Sequence, residues 1–210
     1  MHTFFTSPKG GNGTTVVAVS HALLRSARGH RTLLLDWCGD VPAVLGIPEP
    51  PGPGMNEWLG DARAGSDALL ARATAVNDAL LLVHRGGRFI EGAPRWEALA
   101  DLIAGLDADV VIDGGTGGVP DEIRAVVPTV AMVTRPCYLS LRRASSLPKP
   151  STVYVMKEGD RALTVNDVAH VLGVPVAATV PHTAAIARAV DAGLLPSRVE
   201  HLLGRHLPVA

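Results

Sequence analysis

Cysteine is nearly absent from this 210-residue chain: Cys38 and Cys137 are its only two. A disulfide framework is therefore excluded as the source of stability. Metal-ligand spacing is missing too. No C-x-x-C or H-E-x-x-H occurs, and His201 and His206 stand alone in the last helix pattern. No apolar run approaches the ~18 residues of a spanning helix, and no charged n-region precedes an apolar h-region. A cytoplasmic protein without an integral membrane segment is the expectation. Formal net charge is −1, which gives no bulk attraction to nucleic acid or anionic lipid. Internal repeats, low-complexity tracts and heptads are lacking. Lysine is scarce, with only Lys9, Lys149 and Lys157 against many arginines. Abundant alanine and glycine beside that arginine suit a GC-rich bacterial genome.

What the chain does have is an average apolar content, 47%, enough for a substantial core in one α/β domain. Its most informative stretch lies near the start: Phe4, Phe5, Thr6, Ser7, Pro8, Lys9, Gly10, Gly11, Asn12, Gly13, Thr14, Thr15 and the apolar residues that follow. It reads as strand, glycine-rich turn and helix. Closely spaced glycines let backbone N–H groups converge on an anion, and a helix N-terminus adds its positive end. The common phosphate loop G-x-x-x-x-G-K-[ST] is not matched, because Pro8 stands at the first glycine position and Thr14 at the lysine position.

Further on, apolar runs recur with punctuation between them. They predict strands at about 3–7, 32–36, 79–83, 109–113, 129–134, 152–156 and 175–180. Helices are expected at 55–59, 67–73, 94–106, 164–172, 184–192 and 197–207, with Thr164 as a cap and Asp167 at the third helical position. The proline- and glycine-rich 41–54 segment reads as a surface loop. The turn at Arg85, Gly86 and Gly87 reads as a plain loop, since no helix pattern follows it. Alternating buried strands and helices give a mainly parallel sheet of about seven strands with helices on both faces, and ligands in such sheets sit beyond the C-terminal strand ends. Two strands end there in carboxylates, Asp36 and Asp113.

The order Lys-Gly-Gly-x-Gly-x-Thr at 9–15, the strand ending in Asp36, and the strand ending in Asp113 together resemble the MinD/ParA family of deviant Walker A P-loop ATPases, the CobQ/CobB/MinD/ParA nucleotide-binding group. The resemblance runs from about residue 3 to 195. The segment from Val180, Pro181 and His182 to Leu195 is similar to the adenine-side loop and helix of that family, and most like its CpaE- and TadZ-related branch.

The resemblance implies a P-loop NTPase-like fold binding ATP or ADP with Mg²⁺. Lys9 takes the position of the signature lysine that acts across a dimer. Gly10, Gly11, Asn12, Gly13, Thr14 and Thr15 would cradle phosphate, Thr15 and Asp113 would hold Mg²⁺, and Pro181 and His182 would border the base. Residues 114–118 would form the loop that senses the γ-phosphate. Lys9 and Asp36 are the implied catalytic positions.

Three positions depart from the family. Thr14 replaces the lysine that sits on the nucleotide's own phosphates. Cys38 replaces the aspartate that orients water, and Asp40, two residues on, would need a different backbone path to serve. Met156 and Lys157 stand where an adenine-reading asparagine is expected. A lost charge-assisted contact costs roughly 1.5–3 kcal/mol, and one lost transition-state donor on the order of 10²–10³ in rate. The expectation is a slow or inactive ATPase, acting as a dimeric scaffold or regulator in spatial positioning such as cell division, pilus assembly or segregation, with an unknown protein partner. An active ATP-driven dimer switch is the alternative. So is a ParA-like DNA-binding protein using Arg135, Arg142, Arg143 and Lys149, which fall in a stretch from 123 to 157 without any acidic residue.

Overall fold

The computed structural model describes residues 1–87, 90, 92–159 and 161–209. Eight strands make one sheet: β1 His2–Thr6, β2 Thr32–Asp36, β3 Thr74–Ala75, β4 Leu80–Val83, β5 Asp109–Asp113, β6 Thr129–Thr134, β7 Thr152–Lys157 and β8 Val176–Pro181. Their order across the sheet is β3-β4-β2-β5-β1-β6-β7-β8. Every pairing is parallel except β3 with β4.

The apolar runs explain the two-sided burial. Phe4, Leu33, Leu35, Val110 and Ile112 face one core layer, whereas Phe5, Leu34 and Val111 face the other. A period of two inside a continuous apolar run therefore feeds both faces, as a sheet with helices on each side requires. Each fully buried leucine contributes about 1.5–3 kcal/mol relative to exposure.

The helices are α1 Thr14–Ala27, α2 Val41–Leu45, α3 Met55–Leu59, α4 Ser66–Leu70, α5 Trp96–Gly105, α6 Asp121–Val126, α7 Tyr138–Ala144, α8 Val165–Leu172, α9 Ala184–Asp191 and α10 Leu195–Leu203. Buried residues of α1, α2, α9 and α10 share one layer, and those of α3, α4, α5 and α6 the other. The Thr164 cap forms as expected: its hydroxyl accepts from the Asp167 N–H at 3.2 Å, and the Asp167 carboxylate accepts from the Thr164 N–H at 2.7 Å.

Four expectations need correction. The sheet has eight strands, because residues 74–75 fold back as a two-residue antiparallel edge. Its turn is held by the Asn77 side chain, whose oxygen accepts from the Ala79 and Leu80 N–H groups at 2.9 and 2.8 Å. A strand of two residues carries no readable period. It also cuts short the helix expected over 67–73, which ends at Leu70.

The 41–54 segment is not all loop, since it opens with α2. Pro42 sits in the first turn, where a missing N–H costs nothing, and the Asp36 carboxylate receives the Val41 N–H at 3.3 Å. The last helix starts at Leu195, again with proline in its first turn, and ends at Leu203 rather than 207. At the turn of Gly86 and Gly87, the Glu57 carboxylate accepts from the Gly87 N–H at 3.0 Å and from the Gly54 N–H at 2.8 Å.

Candidate functional site

The loop after β1 enters α1 through Gly13, whose φ of 85° is the left-handed conformation that a side chain resists. No side chain caps this helix and no acidic residue lies in its first turn. The leading N–H groups of α1 thus have no intrahelical acceptor. They border a cleft of about 710 Å³ lined by Gly10, Gly11, Thr15, Cys38, Asp40 and Gly115, among others. Gly10 and Gly11 are exposed, and a Cβ built on either would meet nothing within 4 Å.

Asn12 behaves differently from its neighbours. It is buried, and its side-chain amide donates to the Ser7 hydroxyl at 2.9 Å and the Ser140 hydroxyl at 3.2 Å. This residue fastens the loop to α7 instead of presenting its side chain to the cleft. Gly13 rests on Met156: a Cβ there would stand 3.3 Å from the Met156 methyl. Met156 is itself buried, so its side chain fills space beneath the loop.

The sheet brings both carboxylates to this end. Asp36 pairs in register with Asp113, and Asp113 with Phe5 of β1. Their environments differ. Asp36 is fully buried and is used by the backbone, accepting N–H groups from Cys38 at 2.9 Å, Gly39 at 2.7 Å and Val41 at 3.3 Å. Burial pushes its carboxyl upward, against those hydrogen bonds. Asp113 is also fully buried, but its Oδ2 has no hydrogen-bond partner among the described residues. Burial raises it to about 6, opposed by the adjacent Thr15 hydroxyl and reinforced by the Asp36 charge. A buried acid with an idle oxygen beside a hydroxyl is a donor set that suits a hard divalent cation. Thr15 and Asp113 therefore fit Mg²⁺, and the glycine loop fits the phosphates beside it.

Cys38 is in no position to act as a base. Its thiol lies 3.5 Å from the Asp113 carbonyl oxygen, and burial with the Asp113 charge pushes it up to about 12. A Cβ on Gly115 would stand 2.2 Å from its sulfur, so the thiol fills the gap between the two loops. Asp40 is exposed and lines the cleft. The lining includes Asp40 and Asp191 but neither lysine nor arginine. Lys9 stands just outside it, with its ammonium donating to the Gly10 carbonyl at 3.2 Å.

The 180–195 segment does reach the cleft, but through Val190 and Asp191 of α9. Close packing of Gly46 on Gly193 sets this approach, since a Cβ on Gly46 would lie 2.4 Å from the Gly193 carbonyl oxygen. Pro181 lines a separate groove with His201, Arg205 and His206. The His182 N–H donates to the Lys157 carbonyl at 2.9 Å. Neither Pro181 nor His182 lines the loop cleft.

The basic stretch is likewise divided. Arg135 is paired with Glu158, which also binds Arg161. Lys149 is exposed near Gly173, whereas Arg142 and Arg143 are exposed on α7. Among the described residues, no helix is long and apolar enough to cross a membrane.

No protein-family model matches the chain, and no curated protein matches it in sequence. Solved structures do match its backbone. A ParA family ATPase from Chlorobium tepidum superimposes with a TM-score of 0.77 at 21% identity, covering 97% of this chain and 92% of the other. The septum site-determining protein MinD of Pyrococcus horikoshii, complexed with Mg-ADP, gives 0.72 at 16% identity over 95% and 88%. The MinC:MinD cell division complex of Aquifex aeolicus gives 0.73 at 15% identity over 100% and 98%. The likeness does not single out the CpaE- and TadZ-related branch. Across nearly its whole length, the chain has the fold of the ParA and MinD P-loop ATPases.

Proposed function

We propose that this protein binds ATP or ADP with Mg²⁺ in the cleft of the 9–15 loop, turns nucleotide over slowly or not at all, and acts as a dimeric scaffold or regulator in spatial positioning. One observation supports the reading: the leading N–H groups of α1 and the adjacent Thr15 and Asp113 side chains suit phosphate and Mg²⁺, while the cleft's lining, among the described residues, contains Asp40 and Asp191 and no lysine or arginine. Thr14 cannot neutralise phosphate charge, and the Cys38 thiol, raised to about 12, stays protonated at neutral pH.

In this arrangement the α1 N–H groups hold phosphate, Thr15 and Asp113 hold the ion, and Asp36 keeps the 38–41 backbone in place. Mg²⁺, when bound, would neutralise phosphate charge. Among the described residues lining the cleft, none supplies the missing lysine's charge. Lys9 is the one lysine at the mouth of the loop, so a second copy's Lys9 is the natural source, and a face-to-face homodimer would supply it.

Isothermal titration with Mg-ATP and with Mg-ADP, followed by sizing with and without nucleotide, tests this reading. Saturable binding with weak turnover is expected. Turnover at ordinary P-loop rates would favour the active dimer switch instead, and an absence of binding at millimolar nucleotide would leave a scaffold without ligand.

A further inference from the structure

Beside the nucleotide cleft runs a second groove, of about 710 Å³, between the 8–10 turn and α7. Lys9, Arg142 and Arg143 line it together with Leu139 and Leu147. Among the described residues, no acidic one lies on its wall. Among the described residues, Arg142 and Arg143 form no ion pair. These charges are free for an outside partner, in contrast to Arg135, which Glu158 neutralises.

The apolar side chains on this face are unusual for the molecule. Leu139 and Leu147 are 48% and 40% exposed, and they are two of the seven large hydrophobic residues left exposed among the described residues. Single exposed leucines need no explanation, but a cluster rimmed by arginines has the composition of a binding surface. Leu141 and Ala144 of α7 are buried, so the helix already has its core contacts without these two.

We infer that this groove docks an acidic peptide segment of a partner protein, one carrying leucine-like side chains between its carboxylates. Arg142 and Arg143 steer and orient the segment, and Leu139 and Leu147 receive its apolar residues. Phosphate backbone would satisfy the arginines but would leave the two exposed leucines with no match, which favours protein over DNA. The inference does not depend on nucleotide binding. Gly10 and Thr116 line both this groove and the cleft, so a segment docked here would lie against the 114–118 loop.

Fluorescence anisotropy on the full chain, without nucleotide, tests the idea. The probes are a labelled peptide alternating glutamate and leucine, an all-glutamate peptide, a lysine–leucine peptide and a labelled DNA duplex. Saturable binding is expected for the glutamate–leucine peptide, weaker binding for the all-glutamate peptide, and none for the lysine–leucine peptide. The double variant Arg142→Glu, Arg143→Glu should weaken binding about tenfold or more. Leu139→Ala should weaken it with the salt dependence unchanged, and Lys149→Glu, outside the groove, should leave it intact. Circular dichroism melts confirm that the variants fold.

Tighter binding of the duplex than of the glutamate–leucine peptide, or equal binding of all peptides by the double variant, would overturn the inference. Loss of nucleotide binding in a separate titration would leave it standing, which keeps the two readings apart.

Discussion

The Cys38 thiol points at the main-chain carbonyl of Asp113, 3.5 Å away, across the gap between two loops that leave neighbouring strands. A sulfur in that place packs and weakly donates. It neither accepts a proton from water nor carries a charge at neutral pH, because burial and the Asp113 carboxylate raise it to about 12. Replacing it tests the proposed loss of catalysis. Cys38→Asp alone should leave ATP turnover near that of the parent, because Thr14 still supplies no charge. Thr14→Lys with Cys38→Asp should raise turnover on the order of 10²-fold, read by phosphate release. No gain in a folded double variant would argue that the site differs from an ATPase by more than these two residues.

Asp113 has a folded-state carboxyl raised from 3.8 to about 6. A raised acid binds more protons folded than unfolded between these values, so stability falls as pH rises through that window. The shift corresponds to about 3 kcal/mol at neutral pH. Asp113→Asn should therefore raise the thermal midpoint of the ligand-free protein at pH 7.5 and leave it nearly unchanged below pH 4. Mg²⁺ should stabilise the parent and not the variant. A midpoint insensitive to the substitution at both pH values would show that the carboxylate is solvated.

Gly46 touches Gly193 where α2 meets α9, with φ of 69° and no room for a Cβ. Gly46→Ala should cost about 2–4 kcal/mol, measured by urea unfolding. Because the same contact brings Val190 and Asp191 to the cleft, nucleotide affinity should fall along with stability. Gly52→Ala is the comparison: Gly52 also has positive φ, but nothing lies within 4 Å of a Cβ there. It should lose only the backbone penalty.

At the far end of the sheet, Arg25 and the chain's terminal ammonium converge on the Asp109 carboxylate, with the Arg25 Nε at 2.8 Å. Burial pushes this acid up, and the two donors outweigh it and hold it below the ordinary carboxylate range. Stability from the pair is present above the unfolded value and is lost as pH falls through the folded one. Arg25→Ala leaves the buried Asp109 carboxylate paired with the terminal ammonium alone and should cost about 1.5–3 kcal/mol at pH 7, with a smaller loss near pH 3. Equal losses at both pH values would assign the effect to packing alone.

Lys9→Ala and Lys9→Glu address the proposed dimer. Lys9 is partly exposed, and its ammonium donates to the neighbouring Gly10 carbonyl. Both variants should weaken self-association in analytical ultracentrifugation while leaving the thermal midpoint nearly unchanged. Unaltered association in both, or a monomer at all concentrations with and without ATP, would remove the dimer from the proposal.

The central strands were legible in the chain because continuous apolar runs such as Leu33 to Leu35 fill both faces of a covered sheet. The carboxylates closing two of those runs, and the glycines before α1, were legible for a related reason: strand ends and helix starts are local features with local chemistry. Short elements escaped. The two residues of β3 have no period, and α2 hides behind a proline that begins a helix as readily as it ends one. Only the tertiary structure decided how the site's residues divide their work. Asp36 and Asp113 look alike in sequence, but Asp36 is used up by three backbone N–H groups, while Asp113 keeps an idle oxygen. Asn12 sits among the loop glycines, yet faces Ser140, 128 positions away. Which groups a polar atom bonds to depends on what the sheet order and helix packing bring within about 3 Å, a distance between segments that no local pattern encodes.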